Sequence, residues 1–366
     1  MKIIHVCQKD DPATGGAVRV AFELVKRLIT YNIDARLLFL YGDSGYFGKN
    51  LESHCDYLGL KNSRDIWLYP RFSKYLEKAK PNIVHHHDDL LWPQLLTLNH
   101  AGYKKIIHSH SSRVANPSSL KTRLLYNCHR FTGDFIVCIT KEVQITQCLN
   151  VGFDRNKTSI IYNGVDLQHY QAPSPDEKIK ARQELNLPLA NSVIGFVGRL
   201  DNKMKGGDDF LRVIAQLPSS YNGLVVGKGP DFDNLQTLAK ELKISERVYF
   251  TGLLPDPKFA YQAMDIFAFT SRFEPFGLII LEALASNVPV VGFRCPGGSG
   301  EILTDETGIV IYERDIKAMA EAIQLIPSNP NKVQEKLTQA RYLLETKFSW
   351  DISIEKLIDL YKKILT

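Results

Sequence analysis

Short continuous apolar runs alternate with helix-period segments along almost the whole of this chain, and that alternation leaves few folds open. In the first half the runs fall at residues 3–7, 35–40, 83–86, 105–108, 135–139 and 159–162. In the second they fall at 193–197, 223–226, 247–250, 266–269, 289–293 and 308–311. A strand that is apolar on both faces needs cover on both faces, and the intervening helices supply it. This predicts an α/β fold with parallel sheets. At 366 residues the chain is long for one core, so two doubly wound domains are expected. Asn163-Gly164-Val165-Asp166 is a turn signal, and residues 171–176 are polar and carry two prolines. The junction is therefore expected near residues 163–176. Two such domains facing each other would leave a central cleft at the carboxyl ends of their strands, where these sheets bind ligands.

The composition narrows the class of partner. A net charge of +5 does not call for nucleic acid; it suits an anionic small molecule or an anionic membrane surface. Six cysteines are scattered without a CxxC pair and read as reduced thiols in a reducing compartment. No apolar run reaches the ~18 residues of a spanning helix, and strand-like sequence begins at Lys2. A cytoplasmic location is expected. Residues 66–80 and 120–131 mix aromatic or apolar positions with basic ones, which suits either weak peripheral contact at the inner membrane face or helices that bury their aromatics.

Chemistry-bearing residues gather where runs end. After the first run, Gly15-Gly16 opens a helix and lets backbone approach a phosphate or a sugar. After the third and fourth come His85-His86-His87-Asp88-Asp89 and His108-Ser109-His110. This histidine density invites a metal, but no helical His-x-x-x-His spacing and no cysteine partner supports one. Imidazoles beside a polyhydroxyl substrate explain it as well, and His110 is the best single candidate. In the second half, Gly198-Arg199-Leu200 leads to Lys205, two cations that a diphosphate leaving group would need. Gly227 and Gly229 follow the next run. Glu274 and Glu282 then stand with seven residues between them, the first in a Pro275-Phe276-Gly277 loop, the second about two turns into an apolar helix. Glu282 either points to solvent or, if buried, needs a hydrogen-bonding partner, which a ligand with vicinal hydroxyls would provide.

The set resembles the retaining glycosyltransferases of family 4. The matching elements are Gly15-Gly16, the Ile107-His108-Ser109-His110 segment, Tyr162–Asp166, Gly198-Arg199-Leu200 with Lys205, Gly227-Lys228-Gly229, Glu274-Pro275-Phe276-Gly277 with Glu282, and Phe348-Ser349-Trp350 before an amphipathic tail. The resemblance implies the GT-B fold, two Rossmann-like domains facing a cleft. Residues 1–165 with the C-terminal helix 349–366 would form the acceptor side, and residues 166–348 the donor domain. It implies that Glu282 binds the donor ribose, that Glu274 binds the transferred sugar, and that Phe276, Gly277 and Leu278 lie nearby. Arg199 and Lys205 would neutralise the diphosphate in place of a metal, so no metal and no cofactor is expected. His110 would contact the donor sugar, Gly15 and Gly16 the acceptor and phosphate side, and backbone near Leu254 the base. The expected partners are a nucleotide-sugar donor, with UDP favoured, and a sugar, lipid-linked or small-molecule acceptor. An epimerase or phosphorylase sharing the architecture and a non-catalytic two-lobed sugar binder are the alternatives. Lys205→Ala is expected to slow turnover with little change in folding.

Overall fold

The protein is described by a computed structural model covering residues 1–12, 15–62, 65, 68–87, 102–111, 124, 127, 130 and 133–366. It divides into two compact units, Met1–Asn163 with Trp350–Thr366, and Gly164–Ser349. Among the described residues the first unit holds a seven-stranded sheet and the second a six-stranded one.

The first sheet comprises β1 (Lys2–Lys9), β2 (Asp34–Tyr41), β3 (Cys55–Leu60), β4 (Ile83–His86), β5 (Lys104–Ser109), β6 (Phe135–Cys138) and β7 (Thr158–Ile160), in the order 3-2-1-4-5-6-7. The second comprises β8 (Ser192–Val197), β9 (Tyr221–Val226), β10 (Val248–Gly252), β11 (Ile266–Phe269), β12 (Val290–Phe293) and β13 (Ile309–Ile311), in the order 10-9-8-11-12-13. Every pairing is parallel. Strand order reverses between β1 and β4 in one sheet and between β8 and β11 in the other. Those are the points at which a doubly wound sheet opens a crevice for ligand.

All twelve apolar runs are strands, with ends shifted by at most two residues. The sequence reading missed β3, because Asp56 and Gly59 interrupt it and it lies at the sheet edge. Asp56 is held there by the Arg36 guanidinium and accepts from Tyr75 Oη at 2.6 Å.

In β1 and β4 alternate residues face opposite ways. Ile4, Val6 and Val84 join Leu38, Leu40, Phe72 and Leu76 in a core on one face. His5 and His85, paired in register, lie on the other. The helix Leu68–Ala79 thus spends Leu68, Phe72 and Leu76 on that core, and the apolar side of the 66–80 stretch is used in folding. Ile66 and Trp67, with nearly all of residues 120–131, lie outside the described residues. No described helix is long and apolar enough to cross a membrane.

The C-terminal helix Trp350–Leu365 belongs to the first unit. Ile354 and Leu357 are buried there, Ser353 Oγ donates to the Tyr162 carbonyl at 2.7 Å, and the Arg27 guanidinium lies over the Trp350 ring. This return to the first domain is what the family resemblance implies. In the second unit, Ile194, Phe196, Phe210, Val225, Ala268 and Val291 pack one continuous core. Its first helix, Pro175–Glu184, starts on a capping box between Ser174 and Glu177 with proline in the first turn, a strong start signal.

Candidate active site

At the carboxyl ends of β8, β9 and β10, three loops are laced by backbone hydrogen bonds. Gly198 N–H donates to the Val226 carbonyl at 3.0 Å, Leu200 N–H to Lys228 at 3.0 Å, and Gly227 N–H to Gly252 at 2.8 Å. Only glycine fits at Gly227: its φ is +141°, and a Cβ would stand 1.8 Å from the Gly198 carbonyl oxygen. Gly227→Ala is expected to cost about 2 kcal/mol or more of stability; an unchanged urea midpoint would contradict the tight lacing. Arg199 emerges from these loops exposed, while Lys205 is half-buried. Leu254 lies just beyond β10, half-buried.

The loop after β11 carries Glu274. Its N–H donates to the Pro296 carbonyl at 3.1 Å, and Gly298 N–H returns to Pro275 at 3.1 Å. The two loops are so close that a Cβ on Gly297 would lie 2.0 Å from the Glu274 carbonyl oxygen. Glu274 is 7% exposed, and its Oε2 accepts from Lys205 Nζ at 2.6 Å and from Ser271 Oγ at 3.4 Å. The two candidates that sequence assigned to different parts of a ligand are thus ion-paired, across the switch point between β8 and β11.

The helix Leu278–Ala285 begins at a left-handed Gly277 with φ of +110°. Glu282 is its fifth residue, just over one turn in, which corrects the expected two turns: Pro275 and Gly277 belong to the loop and delay the helix start. Glu282 does not point to solvent. It is 3% exposed, and its Oε2 accepts from Tyr261 Oη at 2.9 Å. Phe276 is buried, and Leu278 is half-buried at the helix mouth. The sequence reading missed Tyr261 and Ser271, which carry no motif. It also missed the clamp of Arg272 and Arg314 on Asp209, with Arg272 also on Asp208, which fastens the Glu274 loop to the helix Gly207–Gln216.

In the first domain, Gly15 caps the helix Gly16–Thr30 with φ of +123° and no side-chain cap, and both glycines are exposed. Thr14, Asp88 and Asp89 lie outside the described residues. His110 follows β5 and is half-buried. It stands at one end of a group the sequence reading did not assemble: His5, His85, His87, His108 and His110, on the face covered by the C-terminal helix. His5 Nδ1 and His87 Nε2 are 2.8 Å apart, and His87 Nδ1 and His110 Nε2 are 3.2 Å apart. Tyr361 Oη lies 2.7 Å from His85 Nδ1, and His108 stacks on His110 with ring planes 8° apart. Burial lowers the pKa of His5 and of His110 to about 3, and pushes His85, His87 and His108 well below the usual imidazole value.

Two triads here, His5/His85/His87 and His87/His108/His110, bring one nitrogen each to within 4.8 Å of one another. A coordinated imidazole aims a lone pair in its own plane at the ion. In these triads the short contacts are nitrogen-to-nitrogen hydrogen bonds, and His108 lies flat against His110. Nitrogens of each triad are engaged with one another or with a neighbouring ring in this structure.

Two doubly wound parallel domains, with polar and glycine-bearing loops at both switch points, define the class: an α/β enzyme of the GT-B architecture. Solved structures share it. Anabaena HepE, crystallised in complex with UDP and glucose, matches with a TM-score of 0.86 at 23% identity over 99% of both chains. Sucrose-phosphate synthase from Thermosynechococcus elongatus matches with 0.81 at 20% identity over 99% of this chain and 98% of that one. The chain belongs to the family 4 glycosyltransferases: residues 14–169 match the model of Glycosyltransferase Family 4, and residues 177–343 that of the Glycosyl transferases group 1. The D-inositol 3-phosphate glycosyltransferase of Corynebacterium urealyticum is 30% identical over 231 residues, 59% of this chain and 54% of that protein. The chain spans about half the length of the curated relatives it matches.

Proposed function

We propose that this glycosyltransferase moves a sugar from a nucleoside-diphosphate sugar to an acceptor hydroxyl with retention at the anomeric carbon, and that UDP is the carrier. The observation that carries the reading is the part-buried Lys205–Glu274 pair at the β8/β11 switch point. A cation and a carboxylate in contact there suit a ligand that is both anionic and polyhydroxylated. Its diphosphate would take Lys205 and the exposed Arg199, and its sugar hydroxyls would take Glu274 and the backbone near Phe276, Gly277 and Leu278. Glu282, already bonded to Tyr261, keeps acceptor capacity for ribose hydroxyls, since an ionised carboxylate offers about four lone-pair sites. Gly198, Gly227 and Gly229 bring backbone against the phosphates, and backbone near Leu254 meets the base.

With two cations facing the leaving group, no metal is required for its charge. Neither glutamate is free to act as a covalent nucleophile, because both serve as donor ligands. The acceptor therefore attacks from the face the diphosphate leaves, and a donor phosphate oxygen takes its proton. The acceptor is a sugar, lipid-linked or small-molecule hydroxyl compound on the side of Gly15 and Gly16, and His110 contacts the donor sugar. HepE, solved with UDP and glucose, and the inositol phosphate transferase support a donor of this kind and a hydroxyl acceptor.

Calorimetry with UDP, GDP, ADP and their common sugar conjugates tests the reading on wild type and Glu282→Ala. One nucleotide is expected to bind at micromolar affinity and to lose at least tenfold in the variant. Failure of every nucleotide to bind the folded protein would overturn it.

A further inference from the structure

His85, Tyr361, His5, His87 and His110 stand in one unbroken file of hydrogen bonds within the first domain. Tyr361 Oη is 2.7 Å from His85 Nδ1 and 3.4 Å from His5 Nε2. His5 Nδ1 then meets His87 Nε2 at 2.8 Å, and His87 Nδ1 meets His110 Nε2 at 3.2 Å. The ring centroids of these two histidine pairs are 5.0 Å and 5.4 Å apart, with planes at 23° and 30°. Those values place the rings edge to edge, so each contact runs nitrogen to nitrogen. All four imidazoles are held neutral by burial, and each therefore carries one N–H.

A neutral ring that uses both nitrogens donates at one and accepts at the other. The file then has two continuous polarities, since an arrangement in which Tyr361 Oη accepts at both contacts would leave its own buried O–H with no acceptor among the described residues, and the far end selects between the two. His85 Nε2 is buried with no partner among the described residues. If Tyr361 donated to His85 Nδ1, that end would hold a buried N–H with nothing to accept it. In the opposite polarity it holds an unused lone pair, the less costly defect. His85 Nδ1–H then donates to Tyr361, Tyr361 to His5 Nε2, His5 Nδ1–H to His87, and His87 Nδ1–H to His110 Nε2. With its Nε2 accepting, His110 carries its proton on Nδ1, which has no partner among the described residues.

We propose that this file fixes His110 as a neutral Nδ1–H hydrogen-bond donor toward substrate, and that Tyr361 on the C-terminal helix is the positioning residue that selects the tautomer. The inference rests on the reading above only in taking the sugar-nucleotide to be what His110 faces. It deepens that reading in one respect. A ring with its proton on the outward nitrogen and its lone pair occupied donates to a sugar or phosphate oxygen; it does not take the acceptor proton, which leaves that step to the donor phosphate.

Nitrogen-15 NMR of imidazole-labelled protein at pH 7.5, without ligand, reads the tautomers directly, with His110→Ala and His87→Gln used for assignment. His5, His87 and His110 are expected to show protonated Nδ1 and bare Nε2. Tyr361→Phe, which removes only the hydroxyl, should raise the Nε2–H form of His110 several-fold. A wild-type His110 protonated on Nε2, or tautomer populations untouched by Tyr361→Phe, would overturn the proposal. If that variant does not fold, the wild-type spectrum still decides. UDP binding by wild type is a separate measurement, so loss of the donor reading and loss of the tautomer assignment are told apart.

Discussion

Acidification from pH 7 to pH 5 is expected to destabilise the first domain by several kcal/mol and leave the second nearly unchanged. His5 has its pKa lowered to about 3 in the folded protein, against 6.5 for an ordinary imidazole. Between those values the unfolded chain binds a proton that the folded chain refuses. Stability therefore rises with pH through that window, is complete above pH 6.5, and is lost as pH falls toward 3. At pH 5 the loss is about 2 kcal/mol for one such group. His85, His87 and His108 are also buried and held well below 6.5. Each adds to the loss in the same direction, so the total exceeds the contribution of His5 alone and takes a sizeable share of the about 5–15 kcal/mol that holds a typical domain. The second unit contains one histidine, His169, paired with Asp256 at its surface, and serves as an internal control. Calorimetric scans at pH 7.5 and pH 5.0 should show one transition collapsing and the other holding. Parallel shifts of both transitions, or none, would mean that the histidines are not kept neutral by burial.

What the sequence made legible, and what it did not, follows from the range of each signal. Strands such as β11 and β12 could be read because a doubly covered parallel strand is apolar throughout, and no other part of the chain need be known. The glycine loops were readable for the same local reason. The histidine cluster was not, although half of its signal was present. His85 and His87, like His108 and His110, are two residues apart, which on a strand means one face. A search for metal at helical spacing passes over that pattern. The other half, that β1 with His5 lies beside β4 and β4 beside β5, is a matter of strand order, which a single sequence does not state. Tyr361, 276 positions from His85, depends in addition on the return of the C-terminal helix. The Lys205–Glu274 pair likewise spans 69 positions. Each residue was visible alone, and only the reversal of strand order at β8 and β11 brings them together.

That pair changes the expected behaviour of Lys205→Ala. From sequence the substitution should slow turnover and spare the fold. In the structure it strips the cation from a carboxylate whose side chain is only 10% exposed, leaving Ser271 at 3.4 Å as its remaining side-chain partner among the described residues. A buried polar group that loses its partner costs about 1–3 kcal/mol, so folding stability should fall by that amount. Turnover, measured with the nucleotide sugar that calorimetry identifies, should fall about a hundredfold, the effect of losing one donor to developing oxyanion charge, about 3 kcal/mol. Adding Glu274→Gln separates the two consequences. The double variant removes the orphaned charge, so its urea midpoint should return toward wild type. Its turnover should stay at or below that of Lys205→Ala, because nothing restores the cation beside the leaving group. If the double variant is as unstable as the single one, the ion pair is not what Glu274 needs for burial. If Lys205→Ala turns over at the wild-type rate, Lys205 serves the fold alone, and the leaving-group charge falls to Arg199.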